Sequence, residues 1–124
     1  MPKKISDSEL VVLRALWRGG KPLSFTEIRK DLEERTQWSK STIQTLIIRL
    51  RDKEIIRTID DYVILYAPNI SEDEYLQAEE QKFLDRLFDG SAKKLAAALC
   101  RSGRLGEDDI DELKAFFKVG GDSE

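Results

Sequence analysis

Apolar residues recur at the helical interval from the start of the chain: Leu10, Leu13, Leu16 and Trp17 fall on one side of a 3.6-residue turn. Ser6-Asp7-Ser8-Glu9 precedes them as a capping box, in which the Ser6 hydroxyl accepts from the Glu9 amide and the Glu9 carboxylate reaches back to the Ser6 amide. The predicted helix runs to about Arg18. Gly19-Gly20 ends it, since glycine takes the left-handed cap conformation without a steric penalty. Lys21-Pro22-Leu23 predicts a short extended step, because Pro22 cannot continue a helix interior. Ser24-Phe25-Thr26-Glu27 repeats the capping box and opens a second helix to about Arg35, with Ile28 and Leu32 inward. After the turn Thr36-Gln37-Trp38, Ser39 caps a third helix, Lys40 to about Lys53, whose inner stripe is Ile43, Leu46, Ile47 and Leu50.

The period then changes. Ile55–Ile59 and Tyr62–Ala67 are rich in β-branched and aromatic residues and predict a hairpin turned at Asp60-Asp61, with Pro68 ending the second strand. Three helices and a hairpin, with only a few residues between the second and third helices, is the order of a winged helix-turn-helix. A composition shift at Asn69-Ile70 closes that domain, 1–70. Ser71-Glu72-Asp73-Glu74 is a third capping box, opening a helix to about Phe88. Asp89-Gly90-Ser91 breaks it, a short helix runs through Cys100, and a last one spans about Glu107 to Val119, before a frayed tail at 120–124. The fold class expected is therefore mainly α with a small β-hairpin wing, a winged helix-turn-helix followed by a C-terminal helical segment, 71–119.

Those last helices carry Tyr75, Leu76, Phe83, Leu84, Leu87, Phe88, Leu95, Leu99, Ile110, Leu113, Phe116 and Phe117. Two amphipathic helices joined by an Ala-rich link make a thin core, and small cores are marginal. The alternative is that they fold back onto the winged helix. A two-fold interface buries the same stripe twice, so these residues are read as the dimerisation surface of a homodimer.

Charge changes the picture next. Net charge is −3, but residues 1–70 carry +3 and residues 71–124 carry −6. Phosphate neutralisation needs only a local basic surface. The chain has no histidine and one cysteine, Cys100, so it lacks the ligands of a structural zinc site and the commonest general base. Cys100 sits in an apolar run and is read as a packing residue. No glycine-rich phosphate loop is present, and the acidic pairs fall at helix starts, where they complement the macrodipole. Neither cofactor, metal nor catalysis is expected. Without a long apolar run or a secretion core at Met1-Pro2-Lys3-Lys4, the expectation is a cytoplasmic chain with no membrane partner.

The outer side of the third helix carries Ser41, Gln44, Thr45 and Ile48, with Lys40, Thr42 and Arg49 beside them. Glutamine pairs with adenine, hydroxyls bond either kind of base edge, and an aliphatic side chain meets a thymine methyl. Lys40 and Arg49 suit phosphate. An ordinary solvated helix face is the bland alternative; against it, this face is almost free of carboxylates until Asp52, and Ile48 has no structural role there. Ser24 and Thr26 at the start of the second helix, and Arg57 on the wing, are candidates for the DNA backbone. A winged helix that binds protein rather than DNA is the competing class.

With these residues assembled, the chain resembles the BlaI/MecI-type penicillinase-repressor family over nearly its full length. The resemblance rests on I-S-D-S-E-L-V-V-L-R-A-L-W (Ile5–Trp17), W-S-K-S-T-I-Q-T-L-I-I-R-L (Trp38–Leu50), F-L-D-R-L-F-D-G-S (Phe83–Ser91) and D-D-I-D-E-L (Asp108–Leu113). It implies a homodimeric transcriptional repressor that binds palindromic, double-stranded operator DNA and controls resistance-type genes, antibiotic resistance above all. It also implies a sensor protease that cuts an Asn-Phe step in the dimerisation helices, where this chain reads Ala98-Leu99. The copper-responsive branch's Cys-x-Cys pairs are absent here, and Asp60-Asp61 replaces a wing tip that tends to be basic or to contain glycine.

Overall fold

A computed structural model describes residues 4–121, with side chains through Phe116. Its elements are α1 (Asp7–Gly19), β1 (Leu23–Ser24), α2 (Phe25–Glu33), α3 (Lys40–Asp52), β2 (Ile56–Asp60), β3 (Ile64–Pro68), α4 (Glu72–Phe88), α5 (Ala92–Arg101) and α6 (Glu107–Gly121). They form two compact units, one running to Leu76 and the other beginning at Gln77.

In the first unit, local chemistry sets the helix ends. All three expected capping boxes are present, at Ser6/Glu9, Ser24/Glu27 and Ser71/Glu74. Gly20 closes α1 at φ 68°, and its amide bonds the Trp17 carbonyl. The inward faces of α1, α2 and α3 meet in one core of Val12, Leu13, Leu16, Ile28, Leu32, Ile43, Ile47 and Leu50, all at most 1 % exposed. Each such side chain contributes about 1.5–3 kcal/mol by leaving water. Leu10, expected in the stripe, is only half-buried; the inner line is set by Glu9, Val12, Leu13 and Leu16.

The extended step before α2 is a true strand. β1 pairs antiparallel with β3, Leu23 opposite Tyr66, giving a three-stranded sheet in the order β1-β3-β2. β2 and β3 pair from Ile56–Pro68 to Asp60–Ile64. This register corrects the expected two-residue turn: Asp60 is paired, and the tip is the three-residue loop Asp61-Tyr62-Val63, closed by the Asp61 amide donating to the Val63 carbonyl at 3.2 Å. A tight two-residue turn favours a glycine, which this tip lacks. Beyond the wing, Trp17 Nε1 donates to the Ile70 carbonyl at 3.0 Å, and the Trp17 and Tyr75 rings lie 5.8 Å apart. The first turn of α4 thus belongs with the winged helix.

The second unit is thinner. α4 ends at Asp89 and Gly90, both with positive φ, and the Gly90 amide reaches back to the Leu84 carbonyl. Ser91 then caps α5. No described residue of α4 or α5 is buried. Cys100, expected among packed residues, is exposed; the half-buried side of α5 is drawn by Leu95, Ala98 and Leu99, and Cys100 falls away from it. α6 continues to Gly121, two residues past its expected end, and residues 122–124 of the expected tail lie outside the described residues. No helix among the described residues is long and apolar enough to cross a membrane.

Candidate nucleic-acid interface

The site is the outer flank of α3, and it exists because Ile43, Leu46, Ile47 and Leu50 turn the other side inward. Ser41, Thr42, Gln44, Thr45, Ile48 and Arg49 are all exposed, as is Lys40 at the first turn. Ile48 keeps 38 % of its surface in water, an unfavourable placement for an isoleucine. A shallow depression of about 230 Å³ lies along Ser41, Thr42, Thr45, Leu46 and Arg49.

The N-terminus of α3 holds no acidic residue in its first turn. Ser39 Oγ accepts from the Thr42 amide at 3.2 Å and lies 3.0 Å from Thr42 Oγ1 and 3.2 Å from Ser41 Oγ. The three hydroxyls form a cluster at the helix end whose partial positive charge suits an anion. The Thr45 hydroxyl donates to the Ser41 carbonyl at 2.9 Å. Its proton is therefore engaged, so toward a base edge it can only accept, which suits an exocyclic amine. Gln44 makes no side-chain bond to described residues and can present both donor and acceptor. Lys40 and Arg49 join no ion pair among the described residues, unlike Arg51, which lies 3.4 Å from Asp52.

The other candidates lie on other elements, Ser24 and Thr26 at the start of α2 and Arg57 on β2. Ser24 is half-buried and its capping box is internally satisfied: its hydroxyl accepts from the Glu27 amide and its amide donates to Glu27 Oε1 at 3.0 Å. The Ser24 amide is the main cause that holds the Glu27 carboxyl below its usual range, so a negative charge already occupies this helix start. Thr26 is exposed beside it. Arg57 Nη1 donates to the Pro68 carbonyl at 2.8 Å and to Asn69 Oδ1 at 3.0 Å, tying the guanidinium to the base of its own wing rather than to its tip. At that tip, Asp60 and Asp61 are exposed carboxylates.

Behind α3 lies a feature absent from the sequence expectations. Lys53, the cap residue at its C-terminal end, donates to Glu9 Oε1 at 2.6 Å and to the Lys4 carbonyl at 2.8 Å. Glu9 is 1 % exposed. The signal was available, since Glu9 precedes Val12, Leu13 and Leu16 at intervals of three, four and seven on the inward side of α1.

Of the twelve apolar residues expected to join two copies, Leu76, Phe83, Leu87, Leu113 and Phe116 are exposed. Leu84, Phe88, Leu95, Leu99 and Ile110 are half-buried, Tyr75 stacks near Trp17, and the side chain of Phe117 lies outside the described residues.

Comparison with known proteins places this geometry. The model of the family described as penicillinase repressor matches residues 5–118. A penicillinase repressor of Bacillus licheniformis is 31 % identical over 111 residues, covering 89 % of this chain and 86 % of that protein. One from Staphylococcus aureus is 33 % identical over 112 residues, covering 90 % and 88 %. Among solved structures, the monomeric form of Bacillus licheniformis BlaI in complex with the blaP half-operator superposes with a TM-score of 0.53 at 34 % identity, over 60 % of this chain and 92 % of that one.

Proposed function

The chain belongs to the penicillinase repressor family, and from that premise we propose that it is a DNA-binding transcriptional repressor acting as a homodimer on a palindromic operator. The observation that carries this reading is the exposed, carboxylate-free flank of α3, with Ser41, Gln44, Thr45 and Ile48 facing outward and the core fixed behind them. Gln44, Thr45 and Ile48 read base edges in the major groove. Lys40, Ser41, Thr42 and Arg49 hold phosphates and set the register. Thr26 adds a backbone contact; Ser24 and Arg57 serve the fold first, and the acidic wing tip keeps away from phosphate.

One winged helix offers too few contacts for specific affinity. The segment 71–119 supplies the second copy: Phe83, Leu87 and Leu113 remain exposed in a unit whose described residues include none that is buried in α4 or α5. Two recognition helices then enter major grooves on one face of the duplex, with half-sites about one helical turn apart or a multiple of it. Bound there, the dimer obstructs transcription of resistance-type genes. Cleavage by a sensor protease is not carried over, since Ala98-Leu99 lies within α5, both residues half-buried, and lacks the Asn-Phe step.

A gel-retardation series with the DNA upstream of the chain's own gene, against a scrambled duplex, tests the reading. Retardation of the upstream DNA at lower protein concentration supports it. Equal or absent retardation points to a protein-binding module instead. Binding is also expected to weaken with salt, log K falling by about 0.9 per tenfold salt for each phosphate neutralised.

A further inference from the structure

A second recess, apart from the α3 flank, opens where the last turn of α1 meets the base of the wing. It measures about 340 Å³, within the range of small-molecule sites, and its apolar wall is formed by Trp17, Pro22, Ala67 and Pro68. Gly20 lines it too, and a Cβ there would meet nothing within 4 Å, so the space beside it is open.

Its polar lining is of one sign. Lys21 and Arg57 line the recess and no acidic residue does, in a chain whose net charge is −3. Arg57 Nη1 is held by two neutral oxygens, the Pro68 carbonyl and Asn69 Oδ1, which fix the guanidinium without cancelling its charge. It joins no ion pair among the described residues, and Nη2 and Nε make no bond to them, so further donors remain. Lys21 is shared with the exposed Glu27 carboxylate at 3.8 Å, which leaves Arg57 as the principal charge of the recess. A preorganised guanidinium beside a tryptophan and two proline rings is complementary to a flat apolar body that ends in an anion.

We propose that this recess binds a small monocarboxylic acid with a planar apolar body, its ring against Trp17 and the prolines and its carboxylate on Arg57 and Lys21. Trp17 lines the recess and its Nε1 bonds the Ile70 carbonyl just beyond Pro68, so the indole N–H reports the ligand's arrival.

The test is a ¹⁵N-¹H titration of the full chain with benzoate, repeated with the neutral, similarly shaped benzyl alcohol. Benzoate is expected to move the Trp17 indole and the Gly20 and Lys21 amides saturably while the Trp38 indole stays put. Benzyl alcohol is expected to bind about tenfold or more weakly, the weight of one charge-assisted hydrogen bond. Arg57→Met is expected to reduce benzoate to the level of benzyl alcohol; should that variant lose its dispersed spectrum, Lys21→Met supplies the comparison, with a weaker loss expected. No saturable change at Trp17, equal affinity for the two probes, or a folded variant that binds benzoate as before overturns the proposal.

Discussion

The Lys53 ammonium lies 2.6 Å from Oε1 of Glu9, a carboxylate 1 % exposed and 44 positions away in the chain. Lys53 terminates α3, so this contact ties the end of α3 to α1. Burial raises the Glu9 carboxyl pKa, but the Lys53 ammonium and the Ser6 amide and hydroxyl more than offset that, leaving it below its ordinary value of 4.5. Glu9 Oε2, by contrast, is buried with no hydrogen-bond partner, so part of the carboxylate's desolvation is uncompensated.

A pH dependence follows with a definite sign. A carboxyl whose pKa is lower folded than unfolded stabilises fully above the unfolded value and loses that contribution as pH falls through the folded one. Thermal melts are expected to show stability dropping as pH is lowered below about 4.5, and Glu9→Gln is expected to flatten that segment of the profile. At pH 7 the same substitution should cost about 1–3 kcal/mol, because it replaces a charged partner of Lys53 inside the fold. A Glu9→Gln profile parallel to the parent's contradicts the assignment.

The Trp17–Tyr75 contact gives a second prediction, about where the winged helix ends. A fragment of residues 1–76 is expected to be more stable than one of residues 1–70 by about 1 kcal/mol, the weight of one aromatic pair. That corresponds to about 4–8 °C in melting temperature for a domain of this size. Equal melting temperatures refute a stabilising role for the pair.

The dimer is tested on α4. Phe83→Glu and Leu87→Glu each place a charge on a side chain that is exposed in the single chain, so neither should unfold the first unit. Sedimentation equilibrium is expected to show monomers, with operator affinity falling alongside. Variants that stay dimeric would move the interface elsewhere.

Local signals carried most of the architecture. Ser6, Ser24 and Ser71 each find their partner three residues on, and the apolar spacing of α2 and α3 names their buried faces directly. What escaped depends on residues distant in sequence. Locally Glu9 is half of a capping box, and nothing near it in sequence says that Lys53 will neutralise it. Leu23-Ser24 becomes a strand only because β3 arrives beside it, and the wing's three-residue tip is fixed by pairing register rather than by composition. Arg57 looks like a free cation until Pro68 and Asn69 fold against it. The α3 flank was legible for the opposite reason: once four inward positions are known, helix geometry fixes the outward ones.

The most direct measurement is the discrimination ratio of Gln44→Ala, its affinity for the DNA upstream of the chain's own gene divided by that for a scrambled duplex of equal length at equal salt. The ratio is expected to fall roughly 5- to 150-fold, equivalent to about 1–3 kcal/mol, while affinity for the scrambled duplex holds. A ratio unchanged from the parent, or an equal loss on both duplexes, would contradict base reading by α3.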